Sequence, residues 1–165
     1  LVLRRQRQMC IRDRDLQKLS NDIFMYYGLG CRSVSKIYLP KDYDLDILFK
    51  QVYSWKDIIN NSSYYNNYTY NKTIYLMSEE KFFDNGFLIL KESTEIGSPI
   101  GAVFFEYYEN DNTVIKSLKK YSEKIQCIVG KNIVENSVEF GNTQRPSLDD
   151  FADKINTLDF LLKLS

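Results

Sequence analysis

A single α/β domain is predicted for this sequence by three observations. Apolar residues recur three or four apart in some stretches and run together or alternate in others. The two kinds of stretch follow one another along the chain. The breaks between them are short and rich in Gly, Asn, Asp and Pro. Leu16, Leu19, Ile23 and Phe24 cover one face of a short helix expected to end at Gly28. Gly28-Leu29-Gly30-Cys31 then supplies a turn, and Val34, Ile37 and Leu39 predict a strand stopped by Pro40. Asp44 opens the next helix, whose apolar positions Leu45, Leu48, Phe49, Val52 and Trp55 carry it to the Asn60-Asn61-Ser62-Ser63 break. A further helix follows from about Tyr64 to Met77. The turn residues Asp84-Asn85-Gly86 precede a strand over 86–90, and Ile100 to Tyr108 forms another. Glu109-Asn110-Asp111-Asn112 breaks the chain and caps a helix from Thr113 to Lys124, after which Gln126-Cys127-Ile128-Val129 is a short buried strand.

Composition narrows the function classes. The chain has 165 residues, with 22 basic and 22 acidic side chains. That balance leaves no electrostatic footprint for nucleic acid or an anionic membrane. No apolar run approaches the roughly 20 residues of a membrane span, so none is expected. The three cysteines are an odd number, which argues against a disulfide framework and points to a reducing, cytoplasmic setting. Histidine is absent altogether, which removes Ser/His and Cys/His nucleophile pairs, histidine metal sites and any imidazole base. Metal-ligand spacing is not found either. Tyr64, Tyr65, Tyr68, Tyr70 and Tyr75 have the faces to stack bases, but without a basic groove they read as helix packing.

The arginines are uneven: Arg4, Arg5, Arg7, Arg12 and Arg14 crowd the start, leaving Arg32 and Arg145 for the remainder. From Asp15 on, the chain is rich in Lys, Asn, Tyr and Ile. No apolar segment of the roughly 7–15 residues of a secretory signal follows the opening charges. Met9-Cys10-Ile11-Arg12-Asp13-Arg14 looks like one reading frame of the transposon-end adapter used in sequencing libraries. Residues 1–14 are therefore expected to be a non-native scar, and residues 15–165 the C-terminal part of a longer protein.

Cys31 is the candidate reactive group. A thiol on a glycine-bounded turn between helix and strand, with Arg32 and Lys36 near in sequence, has features that expose it and favour thiolate. The alternative is a packed cysteine, since free cysteine is among the most buried residue types. Cys127, in its apolar stretch, reads as structural.

The run Gly28, Cys31, Ser35, Lys36 leading into a strand resembles the nucleophile segment of the aldehyde dehydrogenase superfamily. Glu95-Ile96-Gly97-Ser98-Pro99-Ile100, with the strand after it, is similar to that superfamily's Glu-Ile-Phe-Gly-Pro-Val. Phe140-Gly141 matches its Phe-Gly element, in the same order along the chain. Within the superfamily the nearer likeness is to the LuxC-type acyl-CoA reductases. It is carried by Tyr27 to Lys36, Asn66 to Lys72, Asp84 to Glu92, Ser98-Pro99-Ile100 and Phe140 to Pro146, with Asp153 and Phe160-Leu161 beyond. The glycine before Ser98 stands where the superfamily pattern has phenylalanine.

The resemblance implies an aldehyde dehydrogenase-like catalytic domain with three α/β/α layers, incomplete because the cofactor-binding domain would precede Asp15. It implies reduction of a fatty acyl-CoA to an aldehyde with NADPH through an acyl group held on Cys31. By the same resemblance the Cys31 backbone N–H donates to the oxyanion, Glu95 touches the cofactor ribose, Phe140 walls the nicotinamide side, and two subunits pair as a homodimer. The fragment alone is not expected to turn over, and loss of the preceding domain is expected to uncover apolar surface. An aldehyde-oxidising dehydrogenase and a non-catalytic α/β interaction domain are the competing readings.

Overall fold

The computed structural model describes residues 13–130, 134, 137–148, 150–151 and 155–163. The suspected scar, apart from Asp13 and Arg14, lies outside the described residues, as do Cys10 and Asp153. Helix α1 (Asp13–Phe24) is followed by a single-turn 3-10 segment, Met25–Gly28. Strand β1 (Lys36–Pro40) leads to α2 (Leu45–Val52), which tightens into a 3-10 stretch, Tyr53–Asn60. Then come α3 (Ser62–Met77), β2 (Phe83–Asp84), β3 (Ile89–Glu92), β4 (Ala102–Tyr108), α4 (Asp111–Lys120) and α5 (Thr157–Leu162).

The four strands form one mixed sheet in the order β1-β4-β3-β2. β4 pairs in parallel with β1 (Ile37 opposite Phe105) and with β3 (Leu90 opposite Val103), while β2 runs antiparallel to β3. This is the mixed α/β organisation the periodicity predicts. Strand alternation divides the apolar residues. Ile37 and Leu39 enter the main core with Leu16, Leu19, Phe24, Leu48, Leu90 and Phe105, whereas Tyr38 joins Tyr108, Val114 and Leu118 in a smaller cluster under α4.

The caps at Asp44 and Asn110 behave as read, and Asn61, read only as part of a break, caps α3 as well. Asp44 accepts from the Asp46 N–H, Asn61 from that of Tyr64 and Asn110 from that of Asn112, each satisfying an otherwise orphaned first-turn donor. Tyr64, Tyr68, Asn71 and Tyr75 form the buried face of α3, while Tyr65 and Tyr70 are exposed. Asn71 Nδ2 donates to the Ile100 carbonyl at 3.0 Å, fixing α3 over the turn before β4. That approach is close: at Gly101, with φ of 82°, a Cβ would lie 2.8 Å from the Tyr68 Cα.

Several boundaries differ from the sequence reading: α4 runs from Asp111 to Lys120 rather than from Thr113 to Lys124, and β4 starts at Ala102 rather than Ile100. α1 ends at Phe24 rather than Gly28, and Tyr26 and Tyr27 take left-handed φ values of 56° and 59°. No residue is buried between Phe24 and Val34, so nothing would pack a further helical turn. β3 starts at Ile89 because the preceding residues are held in a turn, with Asn85 Oδ1 accepting from the Leu88 N–H at 2.9 Å. The segment 126–129 is not a strand. Only Val129 pairs, as an isolated parallel bridge to Val138, and Cys127 is half-buried in irregular backbone. β2 and α5 leave no mark in the periodicity, being two and six residues long.

Candidate active site

Cys31 lies in the turn between Gly28 and β1, and it is exposed. The turn closes locally through the Ser33 N–H to the Gly30 carbonyl at 2.8 Å, and it is tied to α1 by the Val34 N–H to the Asp22 carbonyl at 2.9 Å. The remaining restraints come from far along the chain. Ser35 Oγ donates to the Ile96 carbonyl at 3.3 Å, Gln144 Nε2 donates to Ser33 Oγ at 3.3 Å, and Arg32 is ion-paired with Asp150. The end of the Gln144 side chain lies over Gly30: a Cβ there would be 2.8 Å from Gln144 Nε2, which would have to move aside.

Gln144 is itself positioned by Asp22. This carboxylate sits on α1, 1% exposed, and accepts from the Gly141 N–H at 2.7 Å, the Thr143 N–H at 3.1 Å and the Thr143 hydroxyl at 2.9 Å. Burial pushes its pKa up, and the three donors offset that only in part. Sequence reasoning missed Asp22, Gln144 and Asp150. Asp22 alone carried a signal, being a carboxylate three residues after Leu19 on the face α1 buries.

Cys31 lines two cavities. One, of about 130 Å³, is walled by Cys31, Lys36, Ile96, Leu118, Ile125 and Cys127 among others. The second, of about 200 Å³, lies on the side of Tyr64, Leu88, Pro99 and Ile100, and Gly28 and Gly30 also border it. Cys31 thus borders both cavities.

The cations expected to favour thiolate are committed elsewhere. Lys36 is buried, and its Nζ donates to the Ser93 carbonyl at 2.5 Å and to Glu106 at 2.7 Å. The hydrogen bond to Asp150 holds the Arg32 guanidinium pKa above its ordinary value, against a smaller opposing effect of burial. Strand alternation explains Lys36: it points to the same face as Tyr38 and meets Glu106 from the adjacent strand.

Glu95 is exposed, its N–H bonded to Ser93 Oγ at 3.1 Å, and it lines neither cavity; the neighbouring Ile96 does. Phe140 is buried in the main core and is likewise on neither cavity wall. What the Phe140–Gln144 segment contributes is its backbone and Thr143 hydroxyl, given to Asp22, and its Gln144 side chain, laid on the turn.

No protein-family model matches the sequence, and no curated protein matches it. Among the described residues no helix is long and apolar enough to cross a membrane.

Proposed function

We propose that this chain carries the acyl-accepting part of a LuxC-type acyl-CoA reductase, a member of the aldehyde dehydrogenase superfamily, with Cys31 as the nucleophile. The observation that carries this reading is the placement of an exposed thiol at the junction of two cavities, on a turn held from three distant segments. Two of those segments, around Ile96 and around Gln144, contain residues on which the resemblance rests, and Pro99 and Ile100 border the second cavity.

The chemistry suits a chain without histidine. The Cys31 sulfur attacks the carbonyl carbon of a fatty acyl-CoA, the carbon–sulfur bond to CoA breaks, and CoA leaves as a thiol with the proton that Cys31 gives up. One thioester replaces another, so alignment and oxyanion stabilisation matter more than a strong base. The two cavities supply space for an approaching thioester, and the clamped turn limits the motion of the sulfur.

The two residues assigned to the cofactor do not fit it. The resemblance implies NADPH, yet Glu95 stands outside both cavities and Phe140 is within the core, so the two do not form a cofactor wall beside Cys31. The proposal is therefore confined to acyl transfer.

That transfer is directly measurable. After incubation with palmitoyl-CoA at neutral pH, mass spectrometry is expected to find a hydroxylamine-labile palmitoyl adduct on Cys31, with release of CoA, and Cys31→Ser is expected to abolish it. An adduct confined to Cys127, or none while Cys31 still reacts with iodoacetamide, would overturn the proposal.

A further inference from the structure

Among the described residues, acyl transfer to Cys31 leaves one cysteine unused. Cys127 is half-buried and lines the same cavity as Cys31. We propose that Cys31 and Cys127 form a redox pair, in which a peroxide oxidises the exposed Cys31 and Cys127 captures the product as an intramolecular disulfide.

Three observations support the pairing. Cys31 and Cys127 both line one cavity of about 130 Å³. Arg32, hydrogen-bonded to Asp150, also carries a weaker electrostatic interaction with each of the two cysteines. Both residues also sit outside regular structure, Cys31 in a turn and Cys127 in the irregular stretch between α4 and the Val129 bridge. A disulfide needs the two Cα atoms about 5.5 Å apart, so the bond requires the turn and the irregular stretch to approach within the restraints on Ser33, Val34 and Val129.

The two thiols are differentiated in the manner such a pair needs. Cys31 is open to solvent and meets an oxidant first, whereas Cys127 is half-buried. In the first step the Cys31 sulfur attacks one peroxide oxygen and the O–O bond breaks, giving Cys31 sulfenic acid and water. In the second the Cys127 sulfur attacks the sulfenic sulfur and a second water departs. Two thiols lose two electrons in all, and hydrogen peroxide takes them. Reduction by a dithiol restores both cysteines. The redox pair requires only that Cys31 be accessible and does not rest on acyl transfer.

The test uses the whole chain carrying Cys10→Ser, so that this cysteine, outside the described residues, cannot compete. After treatment with hydrogen peroxide at neutral pH, non-reducing peptide mass spectrometry is expected to show a Cys31–Cys127 link that dithiothreitol removes. Adding Cys127→Ser is expected to replace the link by a dimedone-trappable sulfenic acid at Cys31. Equal dimedone labelling of Cys31 with and without Cys127, or oxidation that links only separate molecules through Cys31, would overturn the inference. Failure here with intact palmitoyl transfer would leave the functional proposal standing, and the reverse outcome would leave the redox pair standing.

Discussion

Asp22 and Asp84 do similar jobs in two regions of the molecule and respond oppositely. Asp22 is buried on α1 and takes its hydrogen bonds from neutral groups of Gly141 and Thr143. Asp84, at the end of β2, accepts from the Tyr68 hydroxyl at 2.7 Å and the Gly86 N–H at 2.8 Å, and it pairs with Lys72 at 2.5 Å. Burial raises the pKa of both. At Asp22 burial prevails and the pKa stays raised; at Asp84 the hydrogen bonds from Lys72, Tyr68 and Gly86 prevail and it is lowered. A formal cation within hydrogen-bond reach separates the two cases. The corner around Asp84 is thus a charge-compensated anchor of the scaffold, while the anchor that holds the Cys31 turn keeps a costly charge.

Replacing Asp22 should have the largest effect. Asp22→Asn sets an amide N–H against one of the present donors and is expected to cost about 2 kcal/mol, read from urea unfolding. Because Gln144 then loses its footing, Cys31 should also react faster with iodoacetamide. An unchanged labelling rate would show that the turn is held without Asp22.

A smaller loss, about 1 kcal/mol, is expected for Asp84→Asn, since its partner Lys72 is 38% exposed and water screens the pair. The two variants should diverge with pH. The Asp84 contribution is fully present above the ordinary carboxyl value of 3.8 and is lost as pH falls through the lower folded value, so Asp84→Asn should flatten the acid-side loss of stability. Asp22 has the other sign. Its folded pKa lies above 3.8, so folding loses stability as pH rises from 3.8 through the raised value, and Asp22→Asn should remove that loss. Parallel pH profiles for the two variants would break the comparison.

The least effect is expected at Lys41, which pairs with Glu109 at 2.7 Å with both side chains in water. Hydrogen bonding to Lys41 lowers the Glu109 pKa. Lys41→Ala should nonetheless leave the thermal midpoint unchanged within error, because solvent and salt screen an exposed pair. A loss as large as that of Asp84→Asn would show that burial is not what distinguishes these anchors.

Much of the scaffold was legible in the chain. Leu16, Leu19 and Ile23 marked α1, Asp44 and Asn110 occupied the N-cap positions of α2 and α4, and Asp84-Asn85-Gly86 made the turn its residue types favour. Cys31 was legible as a thiol on an exposed turn. Its surroundings were not. Arg32 and Lys36 are sequence neighbours of Cys31 that turn to Asp150 and Glu106, and Cys127, expected in a strand, shares the Cys31 cavity instead.

By itself, the amino-acid order determined where the longer helices and strands form and which thiol a glycine-bounded turn presents, because those outcomes depend on spacing over a few residues. Tertiary structure alone decided that Asp22 would reach Gly141 and Thr143, that Gln144 would cover Gly30, and that Cys31 and Cys127 would open on one cavity. Those neighbours are brought together by burying apolar surface into a common core, a driving force that has no direction along the chain and leaves no local pattern from which the pairings could be read.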